Sequence, residues 1–132
     1  MELYEKDGKI GILVSPGYGA GWSTWNQKEL AYDKRVVEFW LAHKDDAVFM
    51  ANVERTASSD FLGNVAPASD ANKEAEAFFK SIGYEKCPYM GGFADIELQF
   101  VGKGVPWMIS EYDGYEELIK VGENNPLFTT FM

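Results

Sequence analysis

The sequence predicts an α+β fold: a mainly antiparallel sheet, made of an N-terminal strand and a C-terminal β-meander, with two helices packed on one face. Three observations predict it. Ile10, Ile12, Leu13 and Val14 form a short apolar run with the look of a buried strand. Two stretches carry apolar residues at helical spacing, one around Leu30–Leu41 and one around Ala75–Ile82. The last third alternates apolar and polar residues with a period of two, broken by turn signals.

Taken in order, Asp7-Gly8 reads as a turn that folds residues 2–6 back on a strand over Lys9–Val14. A glycine-rich loop follows over residues 15–25. The first helix is expected from Asn26, which can cap it, with Glu29 placed three residues on as in a capping box. Leu30, Val37 and Leu41, joined by Val36 and Trp40, would form its buried face. His43 and Lys44 suit its C-terminal end, where cations complement the helix dipole. Residues 45–69 are the least readable: Ala47–Val53 fits a strand or a helical extension, and residues 64–70 read as a polar loop around Pro67. The second helix is expected from Ala71 to Ile82, capped by Ser69 or Asp70, with Ala75, Phe78, Phe79 and Ile82 inward and Gly83 as its stop. Ile96, Leu98 and Phe100 alternate with Glu97, Gln99 and Val101. Gly102-Lys103-Gly104 then turns the chain into a strand over Trp107–Glu111. Asp113-Gly114 is a hairpin signal that returns it over Tyr115–Val121.

The 132 residues fit one domain, 1–132, large enough to bury a core without staples. The formal charge of −9 disfavours direct contact with nucleic-acid phosphates or an anionic membrane surface. A single cysteine, Cys87, excludes an intramolecular disulfide and a cysteine-based zinc site. No stretch is long and apolar enough to span a bilayer. The N-terminus lacks the basic flank and apolar run of a signal peptide, so cytoplasmic residence is expected. Aromatic residues make up 15% of the chain, enough to line a site as well as a core.

The loop Ser15-Pro16-Gly17-Tyr18-Gly19-Ala20-Gly21-Trp22-Ser23-Thr24-Trp25 stands at an expected strand-to-helix junction. Folds with α and β elements cradle anions there on backbone N–H groups. The loop matches neither common phosphate motif. Trp22 stands where a P-loop has its lysine, and where the dinucleotide fingerprint has its third glycine. It holds no cation of its own, and Lys28 is the nearest. Phosphoryl transfer is therefore disfavoured. Rings beside backbone donors suit a flat base or sugar instead. The expected ligand set is Tyr18, Trp22 and Trp25 for stacking, with Gly19, Ala20, Gly21, Ser23 and Thr24 as polar holders. Asp33 would brace the loop or accept a ligand hydroxyl. The alternative is that these rings pack on the core and the glycines make room for them.

Nothing in the spacing selects a catalytic residue or a metal site. His43 is the only histidine and Cys87 reads as a spectator thiol. Glu111, Asp113, Glu116 and Glu117 read as a solvated hairpin tip. Gly91-Gly92 is a second flexible point, expected beside the first loop. No cofactor is implied.

Three segments resemble those of small phage-encoded proteins of unassigned function: residues 10–25, Ala31-Tyr32-Asp33-Lys34 and Glu111-Tyr112-Asp113-Gly114, with Gly91-Gly92 also similar. Together they cover about a third of the chain. The resemblance implies a viral origin and an action on a host defence system. Three readings stay open. The first is a pocket protein that sequesters a nucleotide-like small molecule without catalysis, in a homo-oligomer. The second is an acidic inhibitor of a host protein that acts on nucleic acid. The third is a small carboxylate-dependent hydrolase or lyase.

Overall fold

A computed structural model describes residues 1–53 and 70–121. The fold is α+β, with antiparallel sheets and, among the described residues, three α-helices. The first sheet has three strands: β1 (Glu5–Lys6), β2 (Lys9–Val14) and β3 (Glu97–Gly102), in the order β1-β2-β3. Lys9 opposes Gly102, Leu13 opposes Leu98 and Val14 opposes Glu97. The helices are α1 (Lys34–His43), α2 (Ala47–Val53) and α3 (Asp70–Ser81). The second sheet is a hairpin of β4 (Trp107–Tyr112) and β5 (Tyr115–Lys120).

The central strand β2 is covered on both faces. Side chains alternate across a strand. Leu13 enters one apolar cluster with Val36, Val37, Phe79 and Phe93. Ile12 and Val14 point the other way, into a cluster with Val101 and Leu118. All three are fully buried, which is why the run reads as continuously apolar rather than alternating.

That second face explains a departure from the expected meander. The turn at Gly102 forms, with Val105 N–H donating to its carbonyl at 3.0 Å. Yet β4 does not extend the sheet beside β3. Val105, Trp107 and Ile109 instead pack on the Ile12, Val14 and Val101 cluster. Had β4 continued the sheet laterally, that face would stand open to water. Burying it favours stacking the hairpin over the sheet.

The first helix starts later than expected. Residues 23–33 pass through two 3-10 turns, Ser23–Trp25 and Lys28–Ala31, and α1 begins after Asp33. The Asn26 amide is engaged elsewhere: it donates to Trp22 O at 2.9 Å and Tyr89 O at 3.0 Å, and accepts from Tyr89 N at 2.8 Å. Asp33 caps the helix instead, accepting from Arg35 N–H at 3.0 Å. The ambiguous stretch Ala47–Val53 is helical and buries Phe49 and Val53. Helix α3 buries Ala71, Ala75 and Phe79, and Gly83 ends it at φ 105°. Of the polar loop expected over residues 64–70, only Asp70 is described, as the first residue of α3. Among the described residues no helix is long and apolar enough to cross a membrane.

Candidate ligand-binding site

The glycine loop leaves β2 at Ser15 and closes around a carboxylate. That carboxylate belongs to Glu116, which is 1% exposed. Its Oε1 accepts from Ser15 N at 2.9 Å. Its Oε2 accepts from Trp22 N at 2.9 Å, Thr24 N at 3.0 Å and the Thr24 hydroxyl at 2.5 Å. The Glu116 N–H in turn donates to Ser15 O at 2.9 Å. The strand-to-loop junction is thus an anion cradle, as its position implies, and its anion is supplied by β5. A buried carboxylate is tolerated only where such donors replace water. Glu116 is therefore no part of a solvated tip, unlike Glu111, Asp113 and Glu117, which are exposed.

Two glycines complete the clamp. Gly114, at φ 85°, turns the hairpin directly against the backbone of Ala20, where a Cβ would overlap its nitrogen. Gly92 packs on the loop from the other side: a Cβ there would stand 2.7 Å from Gly21 O. The Gly91-Gly92 step does sit beside the first loop. Gly19 N–H donates to Asp113 O at 2.8 Å, tying loop to hairpin tip.

The rings of the loop diverge. Trp22 is fully buried, its Nε1–H donates to Leu30 O at 2.9 Å, and its ring packs against Phe93 and Phe79. Its faces are covered, so it serves the core and not a ligand surface. Tyr18 is 71% exposed and its ring stands 5.1 Å from Tyr115. Trp25 is 42% exposed and stacks on Tyr89 at 5.8 Å. The hydrogen bonds of the Asp33 carboxylate go to Arg35 and not to the loop. Beyond capping α1 it pairs with the Arg35 guanidinium at 2.9 Å, and that hydrogen bond raises the Arg35 pKa. With Arg35, Glu29 and Tyr84 it borders a polar cleft of about 600 Å³. Burial raises the Tyr84 pKa, and Asp33 and Glu29 add to the rise.

Two of the expected residues, Ser23 and Thr24, line a second cleft of about 430 Å³. It is bounded by Leu3 and Ile10, by Lys28 and Tyr32, and by the first half of β4, Trp107 to Ile109. Tyr32 meets Trp107 edge to face at 5.7 Å. Among the described residues Lys28 is the only charged one lining this cleft, and it makes no ion pair with another of them. No carboxylate, histidine or cysteine among the described residues borders it. The sequence marked Lys28 only as the cation nearest the loop. Nothing in the spacing connects it to Trp107, 79 positions away.

Cys87 is partly buried, and burial with nearby Glu76 pushes its pKa up to about 11. The thiol stays protonated near neutrality and is a poor nucleophile there. Among the described residues no group of three or more histidine, cysteine or acidic side chains is placed to hold a metal ion. Comparison with protein-family models, curated proteins and solved structures finds no match to this chain.

Proposed function

We propose that the chain binds a nucleotide-like small molecule in the cleft between the Lys28–Tyr32 segment and β4, and holds it without turnover. The observation that carries this reading is the cleft itself: about 430 Å³, lined by the rings of Tyr32 and Trp107, three hydroxyl-bearing residues (Ser23, Thr24 and Tyr32) and one lysine. That volume lies within the range of roughly 300–1,000 Å³ typical of small-molecule sites. An apolar body with a few convergent polar groups suits a flat base, which needs only a ring to stack on. The lining supports binding over catalysis. Among the described residues it offers no carboxylate, histidine or thiol, and the Thr24 hydroxyl already donates to Glu116. On the viral origin that the resemblance implies, retention of the ligand would withdraw a signal from a host defence system.

Thermal melting against linear and cyclic nucleotides tests this, because a ligand of the native state raises the melting temperature by mass action. A selective rise is expected, with the ligand recovered intact. Tyr32→Leu, which keeps bulk and removes the ring, should abolish the rise in a protein that still folds by circular dichroism. A flat panel would sink the reading.

A second reading rests on the hairpin tip. Glu111, Tyr112, Asp113 and Glu117 are exposed there, near exposed Tyr18. An acidic, aromatic tip suits a basic surface on a host nucleic-acid enzyme. Such binding must weaken as salt is raised. A salt-insensitive complex would exclude it.

A further inference from the structure

One side of the cleft is a strand edge. Val121 N–H donates to Pro106 O at 3.0 Å. In an antiparallel pair, residues that exchange hydrogen bonds alternate with residues that do not. The register Met108↔Ile119, Ser110↔Glu117 and Tyr112↔Tyr115 carries that alternation to the turn. Trp107, Ile109 and Glu111 therefore direct their N–H and C=O groups away from β5. Among the described residues β4 has no other strand partner, and no backbone bond outside the hairpin reaches Trp107 or Ile109. Three successive residues, Trp107, Met108 and Ile109, line the cleft. Successive side chains of a strand point to opposite faces, so the cleft runs along the edge of β4 and not over one of its faces. Backbone donors and acceptors without a partner among the described residues thus run along a cleft where Lys28 is the one charged side chain among those residues.

We infer that the cleft takes a planar heterocycle with an adjacent hydrogen-bond donor and acceptor and a single negative charge, the β4 edge at Trp107–Ile109 pairing with the heterocycle and Lys28 with the charge. This deepens the proposed function and rests on it. A base edge pairs with a strand edge as another strand would, donor to acceptor and acceptor to donor. The charge limit follows from the count of cations. One lysine offsets one unit, and a chain of net charge −9 repels each further anionic group. A nucleoside cyclic monophosphate satisfies both conditions, whereas a nucleoside triphosphate fails the second.

Isothermal titration with the four nucleoside 3′,5′-cyclic monophosphates, the corresponding triphosphates and benzoate provides the test. At least one cyclic monophosphate should bind. Its triphosphate counterpart and benzoate, which lacks the donor–acceptor edge, should bind at least about tenfold more weakly. Methylation of the binding base on its hydrogen-bonding edge should cost about tenfold or more. Ile109→Pro removes the outward N–H while sparing the β5 ladder, since proline is tolerated on an open edge. It should reproduce the loss from the protein side. Lys28→Gln should weaken the cyclic monophosphate and leave the neutral nucleoside unchanged. Equal binding of the methylated base would overturn the edge assignment, and tighter binding of the triphosphate would overturn the charge assignment. Either result leaves the nucleotide reading standing. Silence from every nucleotide removes both.

Discussion

Glu116 carries more of the structure than any other polar side chain described. Its two oxygens accept four hydrogen bonds, three from backbone N–H groups, of which those of Ser15 and Trp22 are buried away from water. Removing the charge leaves those donors facing a neutral amide, half of which is itself a donor. Glu116→Gln is therefore expected to cost about 3 kcal/mol, the scale of a charged hydrogen-bond set lost in a buried place. Glu111→Gln, on the exposed tip of the same hairpin, should stay within about 0.5 kcal/mol. Urea denaturation of the two variants measures both, and equal small losses would mean that water reaches the cradle. This residue was not legible in the sequence. A glutamate two positions after Asp113-Gly114 looks like its solvated neighbours Glu111 and Glu117. Its donors lie 92 to 101 positions upstream, and no local pattern joins them. The glycine loop announced that an anion belongs there but not that the chain brings its own. For Trp22 the sequence left two readings open, a ring displayed for a ligand or a ring packed on the core, and only the positions of Phe79 and Phe93 show that it is covered.

The elements read well from sequence wherever periodicity is uninterrupted. The strand over Glu97–Gly102, the turn at Asp113-Gly114 and the stripe Ala75, Phe78, Phe79 each depend on neighbours within a few residues, and each forms, although Val101, expected on the outward face of its strand, is buried in the second apolar cluster. The start of α1 is not so local. Asn26 has the chemistry of a cap, but its amide closes on the backbone of Tyr89, 63 positions away, so the cap falls to Asp33. Asp33 in turn plays two parts that substitution can separate. Asp33→Ala loses the cap and should destabilise the protein by about 1 kcal/mol. Asp33→Asn keeps an acceptor for Arg35 N–H and loses only an ion pair whose arginine is half exposed, an interaction of little value in water. Asn should therefore sit near the parent protein and Ala clearly below it in chemical denaturation. If Asn fell as far as Ala, the ion pair and not the cap would be the element's anchor. The stacking of β4 over the sheet was equally hidden, because a turn motif sets where the chain reverses and the burial of Ile12 and Val14 sets which way it leaves.

At the scale of the molecule, two sheets with no shared ladder are joined by contacts of several kinds, backbone hydrogen bonds such as Gly19 N–H to Asp113 O among them. An apolar cluster runs from Ile12 and Val14 to Leu118. The turn glycine Gly114 lies against Ala20. The Glu116 carboxylate is held by the loop that leaves β2. The cleft opens where these parts meet, with Ser23 and Thr24 on one side and β4 on the other, so hairpin docking and cleft shape are coupled. A lone two-stranded hairpin is marginal in water. Its persistence here must come from docking, and the ladder should report how firmly it is docked. Native-state hydrogen exchange reads this directly. In the parent protein the ladder amides of Met108, Ser110 and Glu117 should open only with the β2–β3 amides, as one cooperative unit. In Glu116→Gln they should exchange well over 100-fold faster, beyond the roughly 100-fold that a global loss of about 3 kcal/mol gives by itself, while the paired amides of Ile12 and Gln99 accelerate only by that global amount. Such a split would identify the carboxylate as the tie that makes the hairpin part of one unit. Uniform acceleration of both sheets would instead make Glu116 a contributor to global stability alone, with apolar contact sufficient to hold the hairpin in place.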